Sequence, residues 1–357
     1  MRTALCCALL GLAAGAAGAQ EREVTFEAPK PVTVTGFAVG SFAWDREQAS
    51  NSALASKLAV SLFRPWSDNL YLFGQLTTHV APGDSGATTT EIEIDNLIVS
   101  WTPPGAAALN VIFGRFDAPL GFERDDEPLN LTPFTSFNFE LARPAKFTGA
   151  IVRYTASRHL AFAAAITNGW NVTEDNNRGK TGLLRAEWIA TEGLTLGVAW
   201  VYGPEHDGTD AFQRSLLATD LTVQRGSVIV GAEFNLGGER DAMGGSLRWV
   251  GGAVTGFYRL TRSLGFSAKY DHLDDTHAVV SGVPQVLRSF TIGPMWFYSS
   301  AQEGIFSNVE HTTFHIPRIA VRAALHVHYS TEPFFANDQG GLERQDTHAV
   351  LEVFYVF

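Results

Sequence analysis

The chain ends His348-Ala349-Val350-Leu351-Glu352-Val353-Phe354-Tyr355-Val356-Phe357. Stepping back in twos from Phe357 meets Tyr355, Val353, Leu351 and Ala349, an unbroken apolar row. The other row mixes Val356, Phe354 and Val350 with Glu352 and His348. A repeat of two is that of a β-strand, here with one wholly apolar face and one mixed face.

The same pattern recurs towards the amino terminus. Leu58, Val60 and Leu62 alternate with Lys57, Ala59 and Ser61. Glu91, Glu93 and Asp95 share one face of a strand whose other face carries Ile92, Ile94 and Ile98. Three acids in a row require water, and three isoleucines opposite require an apolar medium. Arg153 stands against Ala150, Val152 and Tyr154, and Arg185 and Glu187 against Leu184, Ala186 and Trp188. Arg322, His326 and His328 stand against a row running from Ile319 to Tyr329.

From residue 31 onward about 16 such strands can be drawn, with a range of about 14 to 18 because 299–317 has room for two more. Short turns at 65–69, 103–107, 156–159, 190–193, 224–227 and 261–263 alternate with longer polar connections, among them 45–51, 81–87, 168–180 and 203–213. The expected fold is therefore all-β: a transmembrane antiparallel up-and-down β-barrel over 31–357, with strands of roughly 9–11 residues. A β-helix would show a fixed short repeat, and none is found. A soluble β-sandwich would not need apolar rows on every strand, aromatic strand ends and an export signal together.

The export signal is read at residues 1–19. Met1-Arg2-Thr3 is a short basic start, Ala4 to Ala16 is apolar, and Ala17-Gly18-Ala19 fits a cleavage site before Gln20. Residues 20–30 would form an amino-terminal periplasmic segment. Loss of 19 residues from 357 leaves 338 and removes both cysteines and one arginine, so 25 basic residues face 37 acidic ones, a net charge of −12. That balance argues against a nucleic-acid partner. With no cysteine left, a disulfide framework, a thiolate metal site and a cysteine nucleophile are excluded. After the signal no apolar run reaches the 18 residues a spanning helix needs, which leaves a closed barrel as the way to cross a membrane. The 25 Phe, 8 Trp and 8 Tyr suit two interfacial girdles.

The longest interruption is 117–146. It combines Asp117, Glu123, Asp125, Asp126, Glu127 and Glu140 with Pro119, Pro128, Pro133 and Pro144, which oppose strand pairing, and with Phe122, Phe134, Phe137 and Phe139. So many phenylalanines favour a segment folded back into the barrel, where its acids would face Arg153 and Arg185 and narrow the pore. The other reading is an external loop packed on its own aromatics.

Gly114-Arg115-Phe116-Asp117-Ala118-Pro119-Leu120-Gly121-Phe122-Glu123 resembles the G-R-x-x-x-P-x-G-x-E pattern of the OmpL-like group of bacterial β-barrel porins. Ala142-Arg143-Pro144 through Gly149, Asn168-Gly169-Trp170-Asn171, Asp175-Asn176-Asn177, Arg322 and the terminal Phe357 are similar to that group too. The last strand also resembles the terminal strands of outer-membrane barrels. The resemblance implies a bacterial outer-membrane barrel, set in outer-membrane lipid, that passes small solutes. It further implies recognition of the strand ending at Phe357 by the barrel-assembly machinery, and a homo-oligomer is compatible with it.

Two functions stand at this point. One is a porin passing small hydrophilic solutes or ions by diffusion through a charge-lined lumen, tilted towards cations by the net charge. The other is a non-conducting barrel serving as adhesin, receptor or scaffold. The expected pore-lining residues are Glu91, Glu93, Asp95, Glu123, Asp125, Asp126, Glu127, Arg153, Arg185, Glu187 and Arg322. No G-x-S-x-G, phosphate-binding loop or dinucleotide fingerprint occurs, so neither catalytic residues nor a cofactor is expected. His326, His328 and His348 could meet on neighbouring strands, but no carboxylate spacing closes a site, so they are read as solvated lining and no metal is expected.

Overall fold

A computed structural model describes residues 31–82, 88–240, 244–298, 301–303 and 315–357. The expected signal, the periplasmic segment 20–30 and most of the connection 81–87 lie outside them.

The strands are β1 Thr33–Asp45, β2 Ser50–Pro65, β3 Leu70–Pro82, β4 Thr88–Trp101, β5 Leu109–Asp117, β6 Lys146–Ser157, β7 Leu160–Thr167, β8 Thr181–Thr191, β9 Leu194–His206, β10 Thr209–Arg225, β11 Val228–Arg240, β12 Ser246–Arg259, β13 Leu264–Asp275, β14 Gln285–Phe297, β15 Ala301–Glu303, β16 His315–Pro317, β17 Ile319–Ser330, β18 Phe335–Ala336, β19 Leu342–Glu343 and β20 Gln345–Val356. Sixteen of them, β1–β14, β17 and β20, form one closed antiparallel barrel. The terminal strand closes it: Phe37 pairs with Val356 and Asp45 with His348, and Phe357 and Gly36 exchange backbone hydrogen bonds of 2.9 Å. Closure leaves no edge strand unpaired, the condition for crossing hydrocarbon with strands.

The faces divide as the alternation requires. On β20 the apolar row Leu351, Val353 and Tyr355 is 47%, 44% and 41% exposed, whereas Glu352, Phe354 and Val356 are buried at 4%, 1% and 6%. The greasy row therefore points outward and the mixed row inward, the reverse of a soluble sheet. Large exposed aromatics ring the short-turn end, among them Trp66, Trp101, Tyr154, Trp188, Tyr258 and Trp296. Tyr202 and Tyr329 stand exposed towards the other.

Three details correct the sequence reading, and a fourth bears out its count of sixteen strands. Asp95 is bulged: Gln75 pairs with Asn96 and Leu76 with Ile94, so the extra residue reverses the inside-outside parity beyond it. Ile98 consequently packs inward, not beside Ile92 and Ile94. The expected polar loop 203–213 is mostly strand; β9 and β10 run on to His206 and Thr209 and turn on Asp207-Gly208, with Gly208 at φ +72°. An Asp-Gly turn signal was there to be read. The strands reach 17 residues in β10, longer than the bilayer alone requires. Finally, β15 and β16 pair with each other apart from the barrel wall, so 299–317 adds no barrel strand among the described residues.

Residues 118–145 leave the wall between β5 and β6. They hold a single 3-10 turn, Glu127–Leu129, and one helical turn, α1 (Phe137–Glu140), capped by Ser136, whose Oγ accepts from the Phe139 N–H at 3.0 Å. Leu120, Phe122, Leu129, Phe137, Phe139 and Ala142 are buried. Leu120, Phe137 and Ala142 pack with Ile112, Phe147, Leu183, Val201, Leu216, Trp249, Leu273 and Leu287, which line the inner face of the wall. Each buried phenylalanine contributes about 1.5–3 kcal/mol.

Candidate functional site

The inward segment meets the wall through charged and polar joints. On β2, Lys57 Nζ lies 3.0 Å from Glu127 Oε2 and donates to the Asp125 carbonyl at 3.3 Å. On β3, Gln75 Nε2 donates to Asp126 Oδ1 at 2.8 Å. At the foot of β6, Lys146 gathers Asp95 at 2.5 Å, Asp125 at 3.1 Å and Asp117. On β13, Lys269 Nζ reaches Glu123 Oε1 at 2.7 Å and donates to the Phe134 carbonyl. Asp271, also on β13, accepts from the Phe137 N–H at 2.9 Å. On β17, Arg322 donates to the carbonyls of Asn130 at 2.7 Å, Glu127 at 3.2 Å and Thr132 at 3.3 Å, and its Nε donates to Glu352 at 2.8 Å. Several oxygens around each buried cation are what make its desolvation tolerable.

Glu233 on β11 is a further anchor with three partners on the segment. Its Oε2 accepts from the Phe122 N–H at 2.8 Å and lies 3.4 Å from Arg143, while Oε1 accepts from Asn138 Nδ2 at 2.9 Å. The Trp249 indole on β12 donates to the Ala142 carbonyl at 3.0 Å. The wall is cut away to admit the segment: a Cβ on Gly231 would enter the Phe122 ring, and one on Gly251 would meet Asn138. Gly121 turns the segment at φ +69°, where a side chain would also strike Glu233.

Burial and neighbours sort the segment's acids. Burial, with the nearby Asp117 and Asp95, pushes the Asp126 carboxyl well up, and burial also raises Glu127. Asp125 is less secluded, and Lys146 and Lys57 hold it below the ordinary carboxylate range against what burial it has. Arg124 is lowered by burial and by the guanidinium groups of Arg143 and Arg185. Its Nη1 donates to the Gly121 carbonyl at 2.8 Å, and it enters no described ion pair.

The expected site residues thus divide. Glu123, Asp125, Asp126 and Glu127 come together on the inward segment, and Asp95 and Arg322 meet that network from the wall. Arg185 does not face the acids of the segment; it is held by Asp220 at 2.6 Å and Glu187 at 3.1 Å. The described ion pairs of those acids run to Lys57, Lys146 and Lys269 instead. Arg153 stands half-buried on β6, opposite Ala163. Glu91 and Glu93 are exposed near the outer end of β4, Glu93 3.8 Å from His79.

Sequence reasoning missed the lysines, although they carry a signal. The chain has five, and Lys57, Lys146 and Lys269 are three of them. A scarce, long cation within an apolar alternation marks a place where something anionic arrives from elsewhere in the fold. Beneath the segment, towards the short-turn end, a cavity of about 330 Å³ is lined by Leu129, Leu131, Phe257, Met295, Phe354 and Arg259, among others.

Comparison with known proteins agrees with the closed barrel. A family model described as "Putative beta-barrel porin-2, OmpL-like" matches residues 70–353. No curated protein sequence matches. Among solved structures, the barrel is similar to an anion-selective porin from Comamonas acidovorans, with TM-score 0.61 and 9% identity over 92% of this chain and 99% of that one. It is similar to OmpF of Salmonella typhi in complex with daunomycin, with TM-score 0.61 and 12% identity over 91% and 97%. It is also similar to the trimer form of OmpT from Vibrio cholerae, with TM-score 0.59 and 10% identity over 92% and 99%. At these identities the structures establish the shared fold.

Proposed function

We propose, from the premise that this chain belongs to the OmpL-like β-barrel porin-2 family of bacterial outer-membrane channels, that it passes small hydrophilic solutes and ions by diffusion through a lumen narrowed by residues 118–145. The observation that carries this reading is the spread of the segment's joints. They reach β2 and β3 on one side of the wall and β11 on the opposite side, with β13 and β17 on the arc between them. A strap held at both sides divides the lumen, and the width left beside it sets the size limit, while charges along it set ion preference.

Glu123, Asp125 and Glu127 each share a buried lysine, so they leave less net field than the chain's negative charge suggests. Arg124 is the cation of the segment outside any described ion pair, and it neighbours the cluster of Arg185, Asp220 and Glu187. The pore is accordingly weakly selective, with Arg124 as the residue that tips the balance.

The remaining expectations follow as parts of the same reading. Residues 1–19 direct export, 20–30 lie on the periplasmic side, and the strand ending at Phe357 is offered to the assembly machinery. Outward-facing Ala164, Ala186 and Ala232 leave grooves between Phe162, Trp188 and Phe234 that suit packing against a second copy.

Single-channel recording of the refolded barrel in a planar bilayer under a salt gradient tests the proposal. Stable conductance steps with a small reversal potential are expected. A barrel that inserts and never conducts overturns it, and leaves a plugged adhesin, receptor or scaffold.

A further inference from the structure

The sequence reading dismissed the three inward histidines because no carboxylate completed a site. The register supplies one. His326 pairs with His348 and His328 with Asp346 across β17 and β20, and Asp45 of β1 pairs with His348 on the far side. One His-x-His on β17, His326 and His328, thus faces an Asp-x-His on its antiparallel neighbour, and directly opposed side chains on one face lie about 4.5–5.5 Å apart at Cβ.

The side chains converge. His348 Nε2 is 2.6 Å from Asp346 Oδ2, His328 Nδ1 is 3.7 Å from the same carboxylate oxygen, and His348 Nδ1 is 3.6 Å from Asp45 Oδ2. One ligand atom from each of His328, Asp346 and His348 lies within 4.8 Å of the others. Asp45, Glu47 and Asp346 form an overlapping set by the same measure. Phe134, Phe137 and Phe335 wall the group, with Phe335 stacked on His328 at 5.3 Å and Phe134 on His326 at 4.3 Å.

Hydrogen-bonded filling of a gap would explain the His348–Asp346 contact. It does not explain the atoms left over: Asp346 Oδ1 and His328 Nδ1 are buried without a hydrogen-bond partner. Asp346 is 8% exposed, so its spare oxygen has been taken from water with nothing given in return. Asp45 and Glu47 add negative charge beside it, while His328 and His348 keep side-chain exposures of 19% and 21%, enough for entry from the lumen.

We propose that His328, Asp346 and His348 bind one divalent transition-metal cation of the zinc class, with Asp45, Glu47 or water completing the coordination. Two imidazoles with a carboxylate favour zinc, copper or nickel over calcium or magnesium, which take oxygen ligands. The ligand atoms must draw in onto metal bonds of about 2.0–2.2 Å. The site goes beyond the porin reading and stands whether or not the barrel conducts.

The test is zinc titration of the full barrel in detergent by calorimetry, with chelator-treated protein as the start. One ion per chain is expected, with affinity lowered at least about tenfold by Asp346→Asn or His348→Gln and unchanged by His277→Gln, an exposed histidine outside the group. Absence of saturable binding, or binding that survives the Asp346→Asn/His348→Gln double substitution in a folded barrel, overturns the proposal. Should the variants fail to fold, cobalt(II) absorption of the unaltered protein decides. Intense tetrahedral bands displaced by zinc support the site, and the weak spectrum of hydrated cobalt overturns it.

Discussion

Lys269 Nζ and Glu123 Oε1 meet at 2.7 Å across 146 residues of chain, with side-chain exposures of 0% and 3%. One group belongs to the wall and the other to the strap inside it. The same carboxylate, through Oε2, also accepts from the Ser136 N–H at 3.1 Å and from its hydroxyl. A single carboxylate thus fixes the strap to β13 and fixes the strap's own fold.

Lys269→Met leaves that carboxylate buried with no cation. Breaking a buried pair from one side costs about 3–5 kcal/mol. Thermal unfolding in detergent should show the loss, and Glu123→Gln added to Lys269→Met should recover much of it. Equal damage in the single and double variants would mean that the pair contributes little.

Gly231→Leu tests whether the strap can be displaced without opening the barrel. Its side chain would occupy the place of the Phe122 ring. The expected result is larger single-channel conductance with the heat-resistant folded band on gels retained. Unchanged conductance would separate the narrowing from this contact.

Arg124→Glu replaces the cation that the strap leaves outside any described ion pair. The reversal potential under a salt gradient should move towards cations, and Arg124→Ala should move it less in the same direction. An unmoved potential would remove Arg124 from the conduction path.

Asp126 and Glu127 predict a pH dependence. Burial raises both carboxyls in the folded protein, Asp126 with added repulsion from Asp117 and Asp95. The folded state then holds protons that the unfolded chain has released. Their contribution is most favourable below the ordinary carboxylate range and falls as pH rises from there through the folded values. Asp125, held low by Lys146 and Lys57 against its burial, acts oppositely: its stabilisation is lost as pH falls through its depressed folded value. Asp126→Asn should flatten the decline above the ordinary carboxylate range and stabilise the strap at neutral pH. Unfolding midpoints measured across that range check it.

The barrel was legible because its signal is repeated. Each strand carries its own alternation, and Leu351, Val353 and Tyr355 alone reveal the lipid-facing row. Tight turns were legible where a short polar break separated two apolar alternations; Asp207-Gly208 was overlooked because its flanks are polar too. The bulge at Asp95 was not legible, since alternation on either side of it looks regular until partners are paired. The inward course of the central segment could be inferred from its phenylalanines, but its partners could not. Lys57 and Lys269 are separated from their acids by long stretches of chain, and only barrel closure fixes the distance. The same holds for Asp346, which stands two positions from His348 in sequence yet gains meaning only opposite His328.

The strap leaves the wall after β5, but Glu233, Lys269, Asp271 and Arg322 belong to strands made long after it. The strap can settle only once those strands have joined the sheet, because they carry the far half of its partners. The early half of the sheet can offer Lys57 and Lys146 but cannot hold the far side. Seating the strap and sealing β1 to β20 are therefore late, mutually dependent events in assembly. Damage to the last strands should consequently be felt first in the interior, as a strap that never settles.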